Sequence, residues 1–279
     1  MGWSRCCDCA GVGVTRRLAA VFAHPDDDTY GLAGTLAMGR DDIRYTVIVA
    51  TSGEAGAIGD PSLATRENLA EVRENEEREA LHAVGAADAT VHFLRYPDGG
   101  LKDVPREELV ERVAGLLRES RPQVVATFGP EGITKHDDHV AIGAAATEAF
   151  HRARGAMEEE QAREDAFQRL LYVSIPSSGI DRFWSSLRAR GVDVGDPEGP
   201  FMPRGVPDST VTHEVDCTGV LKDKINALHA HRTQREEVDQ IPEDLQEAVL
   251  GREWFVQAFP PVAEPPARRE GTIFDGLDD

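Results

Sequence analysis

The sequence predicts an α/β fold: a Rossmann-like, doubly wound, mostly parallel sheet with helices on both faces. Two observations carry that prediction. Short β-branched, apolar runs with no polar face recur along the chain, as strands buried on both sides require. Longer amphipathic stretches separate them, and such alternation leads to parallel strands joined by right-handed crossovers.

The elements follow in order. Leu18–Ala23 is the first strand, and the small apolar residues Leu32–Met38 continue directly as a helix. Tyr45–Ala50 is the second strand, ending at TSGEAG. Thr65–Val84 carries Leu69, Val72, Ala80, Leu81 and Val84 at helical spacing, and Gly85 stands where a C-terminal cap belongs. Thr90–Leu94 is the third strand. Pro105 opens a helix over Arg106–Arg118. Val124–Phe128 is the fourth strand, and Val140–Arg154 the helix after it. Gly155–Ala166 is a charged interruption. Leu170–Ser174 is the fifth strand. Gly191–Pro207 is dense in Gly and Pro and is expected to be a flap or rim near the site. Thr210–Val215 alternates like a half-exposed strand, Thr218–Gln234 reads as a helix, and Pro242 starts a short one. Residues 1–15 are read as a leader outside the fold, 16–260 as one domain, and 261–279 as a frayed acidic, Pro-rich tail.

Composition removes several function classes. The formal net charge of −20 should repel phosphate backbones and anionic lipid surfaces, so neither nucleic acid nor membrane is an expected partner. No apolar run is long enough to span a bilayer. Cys6, Cys7 and Cys9 crowd the N-terminus without a second ligand pair at finger spacing, and Cys217 stands alone, which points to a reducing, cytoplasmic setting. A G-x-G-x-x-G turn is missing after the first strand, which disfavours a dinucleotide site.

The chemistry should lie beyond the carboxyl ends of the strands. There the first strand meets His24-Pro25-Asp26-Asp27-Asp28, the second Ser52-Gly53-Glu54, and the fourth Lys135-His136-Asp137-Asp138-His139. Three carboxylates and an imidazole within five residues are costly to ionise together unless a cation sits among them. Two His and one carboxylate, with a position left for water, is a catalytic-zinc pattern. Each cluster alone also admits a structural reading, HPDD as a turn and HDDH as a helix N-cap. Their joint position at the ends of parallel strands favours the metal. His82, His92, His151 and His229 read as structural or solvated, and His231 as either helix packing or pocket.

On these residues the sequence resembles the LmbE-like/PIG-L family of zinc-dependent N-acetylglucosaminyl deacetylases, whose bacterial members include the deacetylases of mycothiol and bacillithiol synthesis. The resemblance covers most of residues 16–234. It rests on Ala23–Asp28 for A-H-P-D-D-[DE], and on Thr51–Gly56 for [ST]-x-G-E-x-G. Arg73, Glu76, Val84 and Gly85 continue it, as do Leu94–Leu101 and His136–His139. Lys224, Ala227, His231, Thr233 and Gln234 complete it. It implies one zinc per chain on His24, Asp27 and His139, donors that suit another divalent ion such as Fe2+ as well. It implies Asp26 as general base and His136 as oxyanion stabiliser or proton donor. Asp138 would orient an imidazole from behind, and Arg73 and Asp98 would contact sugar or polyol hydroxyls. The substrate would be a small N-acetylated amino-sugar conjugate, split to acetate and a free amine. The chain departs from the family pattern at Asp28, Lys135 and Asp137, where Glu, Gly and Pro are usual. Thr134 stands where some relatives have a catalytic Tyr. A metal-dependent amidase acting on a thiol conjugate or another N-acyl molecule, a phosphoesterase, and a non-catalytic binding protein stay open, as does a homo-oligomer.

Overall fold

In the computed structural model, residues 16–157, 165–196, 199, 202–262 and 269–277 are described. Eight strands form one sheet in the order β3-β2-β1-β4-β5-β7-β6-β8. The strands are β1 Arg16–Phe22, β2 Ile43–Thr51, β3 Thr90–Tyr96, β4 Val124–Phe128, β5 Arg169–Ser174, β6 His213–Asp216, β7 Arg252–Phe259 and β8 Arg269–Glu270. The first five run parallel, with Val21 opposite both Ile48 and Thr127. The interiors of β1, β2, β4 and β5 are almost wholly buried, as continuous apolar runs require, while the edge strand β3 is half-exposed; Leu18 to Ala23 are at most 1% exposed.

The main helices are α1 Asp27–Met38, α2 Leu69–Ala83, α3 Arg106–Ser120, α4 Asp137–Gly155, α5 Ser177–Ala189, α6 Leu221–Ala230 and α7 Glu243–Leu250. α3 packs on α4, while α1 and α2 both pack on α6. β1 has its chain neighbour β2 on one side and β4 on the other. The order therefore reverses between β1 and β4, and a crevice opens where their following loops diverge.

Several elements differ from expectation. α1 begins at Asp27 and α4 at Asp137, so both polar clusters sit on helix N-termini rather than in long loops. α5 and β7 were not foreseen. β7 runs antiparallel between β5 and β6, a placement that local periodicity does not encode. The end of the chain does not fray throughout: β8 pairs with β6, Ile273 and Phe274 are fully buried, and Arg169 Nη1 donates to the Ile273 carbonyl at 2.5 Å. Cys6, Cys7, Cys9 and most of Gly155–Ala166 lie outside the described residues. Among the described residues, no helix is long and apolar enough to cross a membrane.

Candidate active site

The β1–β4 crevice brings two helix N-termini face to face. β1 delivers His24, and the chain then turns through Asp26 into α1. Asp26 adopts φ 116°, a conformation that side chains rarely take and that costs about 1–3 kcal/mol. Across this turn the Asp26 carboxylate meets Arg73, while that of Asp27 faces His24 and His139. β4 delivers Phe128, and a tight loop with Gly132, Ile133 and Lys135 at positive φ leads to His136 and His139. Phe128 stacks on the His139 ring at 4.1 Å between centroids, with 7° between planes. Gly143 lets α4 approach, since a Cβ there would stand 2.7 Å from the Phe128 carbonyl oxygen.

His24 Nδ1 and His139 Nε2 lie 3.2 Å apart. Asp27 Oδ2 is 3.6 Å from that His24 nitrogen, and Asp27 Oδ1 is 3.4 Å from that His139 nitrogen. Donors on a tetrahedron about 2.0–2.1 Å from one ion would stand about 3.3–3.4 Å apart. The other ring nitrogens are committed. His139 Nδ1 donates to the Gly132 carbonyl at 2.9 Å. His24 Nε2 stands 3.1 Å from Asp98 Oδ1 and 3.5 Å from Asp138 Oδ2. These contacts put the protons on the far nitrogens, so two lone pairs face each other at the crevice. A divalent cation resolves that conflict, and the residues fit one. Among the described residues, His24 also belongs to two further donor groups within 4.8 Å, with His136 and His139, and with Asp98 and Asp138. Asp98 and Asp138 meet His24 at Nε2, whereas Asp27 and His139 meet it at Nδ1.

The electrostatics favour positive charge at this point, which a second proton on His24 or a cation among the donors supplies. Burial acts to lower the His24 pKa, but Asp138, Asp27 and Asp98 together hold it well above the ordinary imidazole value. Burial acts to raise Asp27, yet His139 and His24 keep its carboxyl well below the usual range. The His136 pKa is lowered by burial and by the two neighbouring imidazoles. His136 Nδ1 accepts the Asp138 N–H at 3.1 Å, so its proton resides on Nε2 when the ring is neutral. His136 is thus the α4 N-cap, as the structural reading of HDDH expected, and its ring also lies beside those of His24 and His139.

Asp138 lies behind His24, held by the N–H groups of Gly99 at 2.7 Å and Leu101 at 3.0 Å. Asp98, which the resemblance assigned to substrate hydroxyls, bonds to residues of the site. Its Oδ2 accepts the Ala55 N–H at 2.8 Å and its Oδ1 meets His24. Arg73 is likewise turned inward, donating to the carbonyls of Gly53 at 3.0 Å and Pro25 at 2.7 Å and to Asp26 Oδ2 at 2.9 Å. Both side chains are thus tied to the loops that carry His24 and Asp26. Glu77 was missed by sequence reasoning. It sits one helical turn after Arg73 and accepts the Asp26 N–H on Oε2 at 3.2 Å. A charged residue on the inward stripe of α2 was the available signal.

The motif near the C-terminus is a clamp. His231 Nε2 meets Thr29 Oγ1 at 3.0 Å, Thr233 donates twice to Glu76, and Lys224 pairs with Glu253 at 2.8 Å. Of the Gly/Pro-rich segment, Arg204 donates its N–H to the Ile133 carbonyl at 2.6 Å, against the His136 loop; residues 197, 198, 200 and 201 are outside the described residues. A cavity of about 400 Å³ lined by Ser52, Glu54, Glu71, Glu74 and Arg95 contains none of the donor cluster, and in its lining the exposed Arg95 pairs with the buried Glu74.

Fold and donor set together define a doubly wound α/β protein with a metal-type His/Asp/His cluster at its topological switch point. The family model described as PIG-L, GlcNAc-PI de-N-acetylase, matches residues 19–150. A 1D-myo-inositol 2-acetamido-2-deoxy-alpha-D-glucopyranoside deacetylase of Kineococcus radiotolerans is 34% identical over 250 residues, covering 78% of this chain and 69% of the relative. The Rhodococcus erythropolis protein of that name is 33% identical, covering 78% and 81%. The chain belongs to the PIG-L/LmbE-like family. Among solved structures, the conserved protein TT1542 of Thermus thermophilus aligns with TM-score 0.58 at 24% identity, over 90% of this chain and 99% of that one. The N,N'-diacetylchitobiose deacetylase of Pyrococcus horikoshii aligns at 0.52 and 21%, over 83% and 73%. A 4-carboxy-2-hydroxymuconate hydratase aligns at 0.57 and 18%, over 90% and 100%, so the fold by itself does not select the reaction.

Proposed function

We propose that this protein is a zinc-dependent N-deacetylase that hydrolyses the acetamide of an N-acetylglucosamine-type conjugate, releasing acetate and a free amine. The observation that carries the reading is the convergence of His24 Nδ1, His139 Nε2 and Asp27 on one point at the β1–β4 switch. The names of the relatives support the substrate class. A small-molecule substrate and a cytoplasmic setting accord with this reading.

His24, Asp27 and His139 would hold the ion. Zinc bound there supplies Lewis acidity and brings the pKa of water toward about 7. Asp98 and Asp138 fix the His24 ring by accepting from Nε2, and Gly132 fixes that of His139. Asp26 takes the proton of the attacking water as the new C–O bond forms. His136, its proton on Nε2, donates to the developing oxyanion, a contribution of about 3–4 kcal/mol for one such donor. The C–N bond then breaks as the amine receives a proton from Asp26 or His136. Phe128 and the His136 loop wall the crevice on the β4 side.

The test is release of acetate and primary amine from 1D-myo-inositol 2-acetamido-2-deoxy-α-D-glucopyranoside and from N-acetylglucosamine, with phosphate release from a phosphomonoester as the rival. Stoichiometric acetate and amine are expected. Phosphate release without acetate would favour the phosphoesterase, and no turnover by the metal-loaded protein would favour a binding role.

A further inference from the structure

Asp26 can act as general base only if its carboxylate is held beside the metal donors, yet its backbone sits at φ 116°, which no local preference favours. The turn is gripped from α2. Arg73 and Glu77 lie four residues apart, on one face of that helix. Arg73 Nη2 donates to the Pro25 carbonyl at 2.7 Å and to Asp26 Oδ2 at 2.9 Å, so one nitrogen ties the main chain to the side chain it presents. Glu77 Oε2 accepts the Asp26 N–H at 3.2 Å. Both residues are buried, Glu77 completely.

The surroundings are built for this grip. Gly53 and Gly56 of the TSGEAG turn cradle the guanidinium: a Cβ at Gly53 would stand 2.3 Å from Arg73 Nη1, and one at Gly56 2.7 Å. Behind Glu77, Tyr45 donates to Asp28 Oδ2 at 2.8 Å. Glu77 Oε1 and Asp28 Oδ1 are both buried with no hydrogen-bond donor from another side chain or backbone group. A group at 77 that accepts from Asp26 and donates to Asp28 satisfies every atom, and a protonated carboxyl does so.

We infer that Glu77, together with Arg73, is a positioning residue that fixes the aim of Asp26, through a hydrogen bond to its backbone rather than through its own charge. The inference rests on Asp26 being the base.

Four variants test it, with the inositol conjugate as substrate and bound metal, KM and kcat as readouts. Glu77→Gln keeps the length, accepts from Asp26 and donates to Asp28, so kcat should stay within a few-fold of wild type. Glu77→Asp keeps the acid but withdraws it by one methylene, and kcat should fall by about 10²-fold, the cost of a displacement of about 1 Å. Glu77→Ala should fall at least as far. In both impaired variants metal content should remain at the wild-type level and KM change by less than about threefold. Asp26→Asn, run in parallel, should lose kcat with metal retained. Wild-type kcat in both Glu77→Asp and Glu77→Ala overturns the inference while leaving the base assignment standing. So does loss of metal in step with kcat, the mark of a structural role alone. If Glu77→Ala does not fold, the Gln and Asp variants decide: Asp more active than Gln overturns it. An undiminished Asp26→Asn overturns the base assignment itself, and the inference with it.

Discussion

Two polar clusters flank α1, and they are built in opposite ways. At its N-terminus His24, Asp27 and His139 present lone pairs toward one another, each side chain still about a tenth exposed. Along its middle, Glu253 accepts from Gly34 N, Thr35 N, Thr35 Oγ1 and Lys224 Nζ at 2.6–2.9 Å, with Lys224 and Glu253 almost wholly buried. The second cluster is saturated and complete without a ligand. The first leaves its donor atoms facing one another, an arrangement that suits a cation. Buried polar groups whose hydrogen bonds close on themselves hold a fold together, whereas those left facing each other await a partner.

The largest expected effect separates the two clusters outright. His24→Ala and His139→Ala should each lose most of the roughly one divalent ion per chain expected from three protein ligands, and nearly all turnover. Metal analysis of the purified variants checks this; full occupancy in both would refute the ligand set. Glu253→Ala should do the reverse. It strands a buried ammonium, so stability should drop by about 3–5 kcal/mol in denaturant melts. Metal content of the folded fraction should be unchanged.

A third measurement concerns pH and the clamp beside α1. Burial pushes the His231 pKa down to about 3, with Arg73 acting the same way. The native state keeps this ring neutral, whereas the unfolded chain protonates it below about 6.5. Its contribution to stability is therefore present above pH 6.5 and is lost as pH falls through that value toward 3. His231→Gln should flatten this acid limb of the Tm–pH curve; an unaltered limb would show that His231 does not set it. The smallest effect is on the β4 loop. Lys135 sits at φ 57°, where Gly has no steric cost, so Lys135→Gly should stabilise by a few tenths to about 1 kcal/mol. A lower Tm would show that the side chain has a compensating contact.

Much of the parallel half of the sheet was legible in the sequence, because strands buried on both faces must be continuously apolar. β7 and α5 were not. β7 alternates between more and less buried positions, and its place between β5 and β6 depends on a long-range antiparallel pairing. At the site, residue type and local spacing marked the clusters His24–Asp28 and His136–His139, and the family resemblance singled out His24, Asp27, His136 and His139 within them. The inward duties of Arg73 and Asp98, and the existence of Glu77 as a partner, were not, because a one-dimensional motif records which residues occur together and not which way they point.

The sequence by itself determined the class of the fold, the two donor clusters and the acidic surface, since each follows from composition or from spacing within a few residues. Only the tertiary structure decided that the strand order reverses between β1 and β4, so that His24 and His139, 115 residues apart, meet at 3.2 Å. It also decided that Asp26 is aimed from α2, through Arg73 and Glu77. Such contacts form when the packed sheet and helices close distances that no local preference spans. The hydrogen bonds then hold a backbone conformation that Asp26 would not adopt alone.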